Sequence, residues 1–166
     1  MLEIVKYPDE RLRNKTEPVG VVDDDTRRIV DEMAEIMYSA PGIGLAANQV
    51  GVLKRIAVID VEYTDGDPSL IVLINPEIVE RQGEIIWEEG CLSFPDVTEE
   101  ITRFESVRVR ALNRIGNTFE VEADGLLAIA LQHEIDHLDG VLLIDHLSFL
   151  KRKIIHRQLS KQKRAG

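Results

Sequence analysis

Residues 132–140 read Gln132–His133–Glu134–Ile135–Asp136–His137–Leu138–Asp139–Gly140, and no other stretch of the 166-residue chain limits its folding so tightly. His133 and His137 stand four apart, so on a helix they share one face, separated by about 6 Å of axial rise. Two imidazoles placed that way can hold one metal ion, and Glu134 projects beside them, where it can take a proton from a metal-bound water. Leu126, Leu127, Ile129, Leu131, Ile135 and Leu138 make the segment apolar on nearly all sides, which predicts a buried helix from about Asp124 to Asp139. Gly125 precedes the run and Gly140 supplies a C′ stop. Such polar groups can be satisfied by ordinary hydrogen bonds. Four of them (His133, Glu134, Asp136 and His137) inside an apolar helix are nevertheless costly to bury unless something pairs them, and a metal ion does so.

A catalytic site of this kind needs three protein ligands and an open position for water. One His-Glu-x-x-His design places a third histidine six residues after the second, but Leu143 stands there, with Asp145 and His146 at the wrong spacing. Another uses a glutamate on a downstream helix, and no Glu follows Glu134. The remaining strong candidate lies upstream. Cys91, the one cysteine in the chain, sits in Glu89–Gly90–Cys91–Leu92–Ser93, and Cys plus two His is a known catalytic ligand set.

Length predicts one domain over 1–166, large enough for a real core. Apolar content of 44% and charged content of 30% fit a soluble protein. A single cysteine excludes an internal disulfide, and a thiolate ligand favours a reducing compartment. The start, Met1–Leu2–Glu3–Ile4–Val5–Lys6–Tyr7, has neither signal nor transit character, and no apolar run approaches membrane-spanning length. A cytoplasmic, membrane-free protein is therefore expected. The net charge of −10 is uneven: residues 151–166 carry seven Lys and Arg and no acid, which leaves −17 on the first 150 residues. An acidic body does not bind nucleic acid over its whole surface, whereas the basic tail is either a solvated helix face or a docking element.

Leu2 to Lys6 reads as a short strand closed by Pro8, and Asp9 to Val22 as irregular. Asp23–Asp24–Asp25 supplies a cap and first-turn acids for a helix to about Ser39, with Ile29, Val30, Met33, Ile36 and Met37 on its apolar side. Pro41 to Gly51 is rich in small residues that let a backbone approach a ligand. It lacks Gly-Lys-Ser/Thr and follows a helix, so it is not a phosphate loop; a glycine-rich turn is the plain alternative. Arg55 to Val61 reads as a strand, Thr64–Asp65–Gly66–Asp67–Pro68 as a turn, and Leu70 to Asn75 as a second strand. Ile78 to Trp87 reads as a third strand, interrupted around Gly83. Phe104 to Leu112 and Thr118 to Glu122 alternate like a hairpin across 113–117. A final helix begins near Ser148. Strands grouped together with few helices give an α+β class: antiparallel or mixed sheets packed around the central motif helix, with a C-terminal helix.

Three stretches, Gly42–Ile43–Gly44–Leu45–Ala46–Ala47–Asn48–Gln49, Glu89–Gly90–Cys91–Leu92–Ser93 and Gln132–His133–Glu134–Ile135–Asp136–His137, resemble in order and spacing the signature motifs of peptide deformylase, in its compact bacterial type. The resemblance covers essentially the whole chain. It implies that Cys91, His133 and His137 bind one divalent metal, usually Fe(II), with Zn, Ni or Co able to occupy the site. It implies that Glu134 is the general base and acid, that Gln49 and the backbone N–H of Leu92 stabilise the oxyanion, and that the backbone of Gly44 helps hold the peptide. The implied reaction removes the N-formyl group from the starting methionine of new polypeptides and releases formate. The methionine side chain needs an apolar pocket, for which Ile43 and Ile129 are the expected walls.

Asp96–Val97–Thr98–Glu99–Glu100 is acidic where many members carry an arginine shortly after the motif's proline, so peptide preference beyond the methionine is not carried over. Two other enzyme classes share part of this pattern, a His-Glu-x-x-His endopeptidase and a cysteine hydrolase with Cys91 as nucleophile. The first lacks its third ligand; the second leaves the histidine spacing unexplained. A non-enzymatic ribosome- or RNA-associated module is suggested by the basic tail, and docking of an enzyme at the ribosome through residues 151–166 is compatible with deformylation of nascent chains.

Overall fold

The computed structural model describes residues 2–62 and 69–165, the last three by backbone alone. The expected turn at 64–68 lies outside the described residues. Seven strands, β1 (Gly44–Ala46), β2 (Ile56–Ile59), β3 (Ile71–Gln82), β4 (Ile85–Cys91), β5 (Phe94–Arg103), β6 (Ser106–Leu112) and β7 (Thr118–Asp124), and three helices, α1 (Asp24–Ser39), α2 (Gly125–Leu138) and α3 (Phe149–Ala165), make up the α+β architecture. The strands form a five-stranded sheet, β1-β2-β3-β6-β7, and a separate two-stranded ribbon, β4-β5, with every ladder antiparallel.

The sheet is sandwiched where the sequence is apolar without alternation. In β2, Ile56, Ala57, Val58 and Ile59 are all fully buried. Ile56 and Val58 pack with Val30, Met33 and Met37 of α1, whereas Ala57 and Ile59 pack with Leu131, Ile135 and Leu138 of α2. β6 has one wet face: Val107, Val109 and Ala111 point to α2, and Arg108 and Arg110 pair with Glu80, Glu120 and Glu77 on the other side. The ribbon belongs to a third core, in which Phe94, Val97 and Ile101 meet Leu142, Leu143, Ile144 and, from α3, Ile155 and Leu159.

α1 starts as its acids predict: Asp23 Oδ1 accepts the Thr26 N–H at 2.9 Å. α2 ends at Asp139 and Gly140, the latter at φ 76°, the left-handed C′ conformation expected of it. A Cβ on Gly140 would sit 2.5 Å from the Arg13 carbonyl oxygen, so the position also lets the N-terminal segment cross close to the helix end.

Several elements differ from expectation. Residues 2–6 are extended but form no ladder; Val5 N–H donates to the Gln49 carbonyl (2.6 Å) and Tyr7 N–H to that of Ser93 (2.8 Å), single bonds to two different segments. The two strands expected at Leu70–Asn75 and Ile78–Trp87 are regrouped: β3 runs through Pro76, and the break falls at Gly83, whose φ of 68° makes the turn into β4. β3 tolerates Pro76 because the pairing with β6 is irregular between Ile74 and Glu77. β5 departs from expectation because Pro95 stands at its start, acids interrupt it, and its buried apolar residues Phe94, Val97 and Ile101 fall three and four apart instead of alternating.

Candidate metal centre

Three elements converge on one point. α2 brings His133 and His137 to a common face, with ring centroids 4.9 Å apart. The ribbon turn brings Cys91, at the end of β4, so that its Sγ stands 3.2 Å from His137 Nε2. One ligand atom from each of Cys91, His133 and His137 falls within 4.8 Å of the others, the one such cluster of three among the described residues. Both histidines are buried and Cys91 is half-buried. The donor set, one sulfur and two imidazole nitrogens, suits a divalent ion and leaves room for a non-protein ligand.

Glu134 completes the floor. It is 4% exposed, and its Oε1 has no hydrogen-bond partner although it is fully shielded. Burial pushes its carboxyl up to about 7, against the pull of His133 and Arg103. Its other oxygen lies against Gly44, so close that a Cβ at position 44 would overlap it. Gly44 is therefore required by close approach, in β1 at the edge of the sheet.

Gln49 is pinned at both ends of its amide. Its Oε1 accepts the Ala46 N–H at 2.9 Å, while its Nε2 donates to Ser93 Oγ at 3.1 Å and approaches Cys91 Sγ at 3.5 Å. The N–H edge of the amide thus faces the sulfur. Asn48, also buried, donates to the His137 carbonyl and anchors the C-terminal turn of α2.

Behind the histidines lies a charged network. Arg103 forks onto Glu89 (2.7 and 2.9 Å) and reaches Asp136 Oδ2 at 2.6 Å, which also meets His146 Nε2 at 3.0 Å. Glu89 Oε1 in turn receives His133 Nδ1 at 3.0 Å. Burial alone would raise the Glu89 carboxyl, but the bonds from Arg103 and His133 outweigh it and hold it at about 2. His137 is pushed well below the usual histidine range by burial, then by His133 and Arg103. His133 is also disfavoured as a cation by burial, yet Glu134, Cys91 and Glu89 carry it well above that range. The same negative surroundings favour a bound cation.

Above the cluster opens a cleft of about 670 Å³, lined by Gly42, Ile43, Gly44, Gln49, Leu92, Ile129, His133 and Glu134 together with the ribbon residues Trp87–Cys91 and Pro95–Thr98. The residues expected to act in catalysis, metal binding and substrate binding are brought together here, with His137 beneath the lining. Ile129 is buried and Ile43 is 43% exposed at the mouth. Asp136, counted among the polar groups needing a metal, is paired instead by Arg103 and His146. Arg103, Asp136 and His146 were not foreseen as a unit. Adjacency of Glu89 to the Cys91 motif was the one available signal, because Arg103 and His146 reach the network only through folding.

The description "Polypeptide deformylase" belongs to the family whose model matches residues 1–153. The chain is 54% identical over 163 residues to the peptide deformylase of Thermodesulfovibrio yellowstonii, covering 98% of this chain and 99% of that protein. It is equally identical over 166 residues to that of Alkalilimnicola ehrlichii, covering 100% and 93%. Among solved structures, a peptide deformylase from Legionella pneumophila superposes with a TM-score of 0.92 at 46% identity, covering 99% and 96%. One from Ehrlichia chaffeensis in complex with actinonin gives 0.92 at 40% identity, covering 99% and 98%. With its fold, its Cys-His-His cluster and near full-length likeness all in agreement, the chain belongs to the polypeptide deformylase family.

Proposed function

We propose that this chain, acting as one catalytic domain, hydrolyses the N-formyl amide of formyl-methionyl peptides on nascent chains, releasing formate and a free amine. The observation that carries this reading is the shielded, unpartnered Glu134 Oε1, set beside the Cys91–His133–His137 cluster at the floor of an open cleft. Those three residues would hold a divalent metal, Fe(II) in our reading with Zn, Ni or Co as alternatives; when bound it supplies Lewis acidity that makes water ionisable near neutral pH. Glu134 takes the proton of the attacking water and later delivers it to the leaving nitrogen. Its burial supports both halves, since a carboxyl near 7 gives up a proton as readily as it accepts one. Gln49 Nε2–H and the Leu92 N–H donate to the oxyanion, and the fixed Gln49 Oε1 spares that amide from turning. The edge of β1 at Gly44 takes the peptide as an added strand, while Ile43 and Ile129 wall the methionine pocket.

The test is formate release from formyl-Met-Ala-Ser by metal-loaded protein, with metal content measured on the same sample. Glu134→Ala is expected to keep its metal and lose turnover; undiminished turnover would remove Glu134 from the reaction. Activity lost in air but kept under argon supports Fe(II), whereas full stability in air supports Zn or Ni.

Placement in the bacterial cytoplasm agrees with a thiol ligand and with formylated substrates, and no described helix is long and apolar enough to cross a membrane. Ribosome docking through α3 is supported by its exposed Lys151, Lys153, Arg157 and Lys161. Reversing three of those charges with Lys153→Glu, Arg157→Glu and Lys161→Glu is expected to lower ribosome co-sedimentation at low salt. An unchanged bound fraction would dispose of docking.

A further inference from the structure

We propose that the cleft discriminates peptides by the charge of the residues following the formyl-methionine, favouring Lys and Arg and disfavouring Asp and Glu, through Glu88 and Asp96 on its rim. The inference rests on the deformylase reading above. The reacting end of the substrate is fixed at the floor, because Glu134, nine-tenths buried and with Oε1 unpartnered, lines the same cleft. The rest of the peptide, taken along the edge of β1, runs through a cleft that β4 and the start of β5 also line. Glu88 and Asp96 both line that wall, both are exposed, and neither has an ion-pair partner among the described residues.

The neighbouring charges do not cancel them. Glu89 is engaged with Arg103 and His133. Lys6 is the one Lys or Arg among the described residues lining the cleft, one cation against two free carboxylates. Thr98, on the same wall, adds no charge. Asp96 has a left-handed backbone, φ 62°, a conformation that Asp tolerates better than most residues. In an extended peptide the second and third side chains stand roughly 3–7 Å along from the first. Exposed carboxylates lining the same cleft act on charged side chains that come within the Debye length, about 8 Å at physiological salt. The −17 carried by the first 150 residues works in the same direction by steering cationic peptides inward.

The test compares formyl-Met-Lys-Lys, formyl-Met-Glu-Glu and formyl-Met-Ala-Ala by formate release at low ionic strength. The expected kcat/KM ratio of the lysine to the glutamate peptide is about tenfold, carried mainly in KM, as befits charged contacts near the surface. The ratio is read within each variant, so a uniform loss of activity cancels. In the Glu88→Gln, Asp96→Asn double variant it falls to about threefold or less, and in Lys6→Gln it rises, because the opposing cation is gone. A wild-type ratio near one, or a ratio that the double variant leaves unmoved, would overturn the inference while leaving deformylation intact. No formate from any of the three peptides would overturn the deformylase reading, and this inference with it.

Discussion

His133 Nδ1 lies 3.0 Å from Glu89 Oε1, with both side chains shut away from solvent. Because Glu89 is held ionised, it accepts and His133 donates. That fixes the ring so that its other nitrogen faces the cluster with Cys91 and His137. Arg103 closes the arrangement from behind, forking onto Glu89 and holding Asp136 on the next turn of α2. Glu89 and Asp136 are thereby tied together through the arginine, and His133 takes its orientation from Glu89.

The first prediction follows from the charge on Glu89. Its carboxyl is lowered from 4.5 to about 2 on folding. A lowered carboxyl contributes stability above its unfolded value, and that stability disappears as pH falls from about 4.5 toward 2. The difference corresponds to on the order of 3 kcal/mol. Urea unfolding at a series of pH values is expected to show wild type losing stability as pH falls from about 4.5 toward 2, and Glu89→Gln losing much less.

Arg103→Met should be more damaging than loss of either partner. It leaves Glu89 and Asp136 buried or half-buried without their shared cation, a change worth about 3–5 kcal/mol. Thermal unfolding would register it as a large drop in Tm. Where the variant folds, titration with Zn or Co is expected to show metal affinity weakened about 10–100-fold, since the Glu89 carboxylate that orients His133 loses its own anchor.

Gly44→Ala tests the close approach beneath β1. The new methyl group overlaps the Glu134 carboxylate, which has to swing aside. Displacement of a reacting group by about 1 Å is worth about 100-fold in rate. The expected result is a large fall in kcat with metal content and Tm near wild type; equal kcat would show that Glu134 has slack.

Gln49→Ala removes an amide donor, and with it the contact to Cys91 Sγ, while leaving Cys91, His133 and His137 themselves unchanged. Loss of one oxyanion donor lowers kcat about 100–1,000-fold. Steady-state kinetics should show that fall in kcat with metal stoichiometry retained. A change confined to KM would make Gln49 a binding residue instead.

The helix that carries the histidines was legible because it is apolar on nearly all sides, as a buried helix is, and because its glycines mark its ends. α1 was legible for a different reason, an Asp23 cap followed by apolar residues at helical spacing on one side. The reach of Cys91 to the histidines was legible only as chemistry, by the absence of other third ligands; its position at a ribbon turn depends on pairings such as Trp87 with Ile101 that leave little trace locally. Arg103 illustrates the limit more sharply. It ends a strand carrying Asp96, Glu99 and Glu100, and nothing near it in sequence announces that it will be 5% exposed between Glu89 and Asp136. Residues 2–6 show the reverse error, an apolar alternation that finds two separate hydrogen-bond partners and no strand to join.

The ribbon that presents Cys91 rests on the far end of the chain. Phe94, Val97 and Ile101 are backed by Ile155 and Leu159, two anchors planted on the last helix. Shortening the protein at its C-terminus would therefore not simply shed a basic appendage; it would loosen the platform under the sulfur. A truncated form that lost activity would be reporting a slack hinge beneath the ligand, and charge reversal on intact helices is the cleaner way to ask what the tail itself touches.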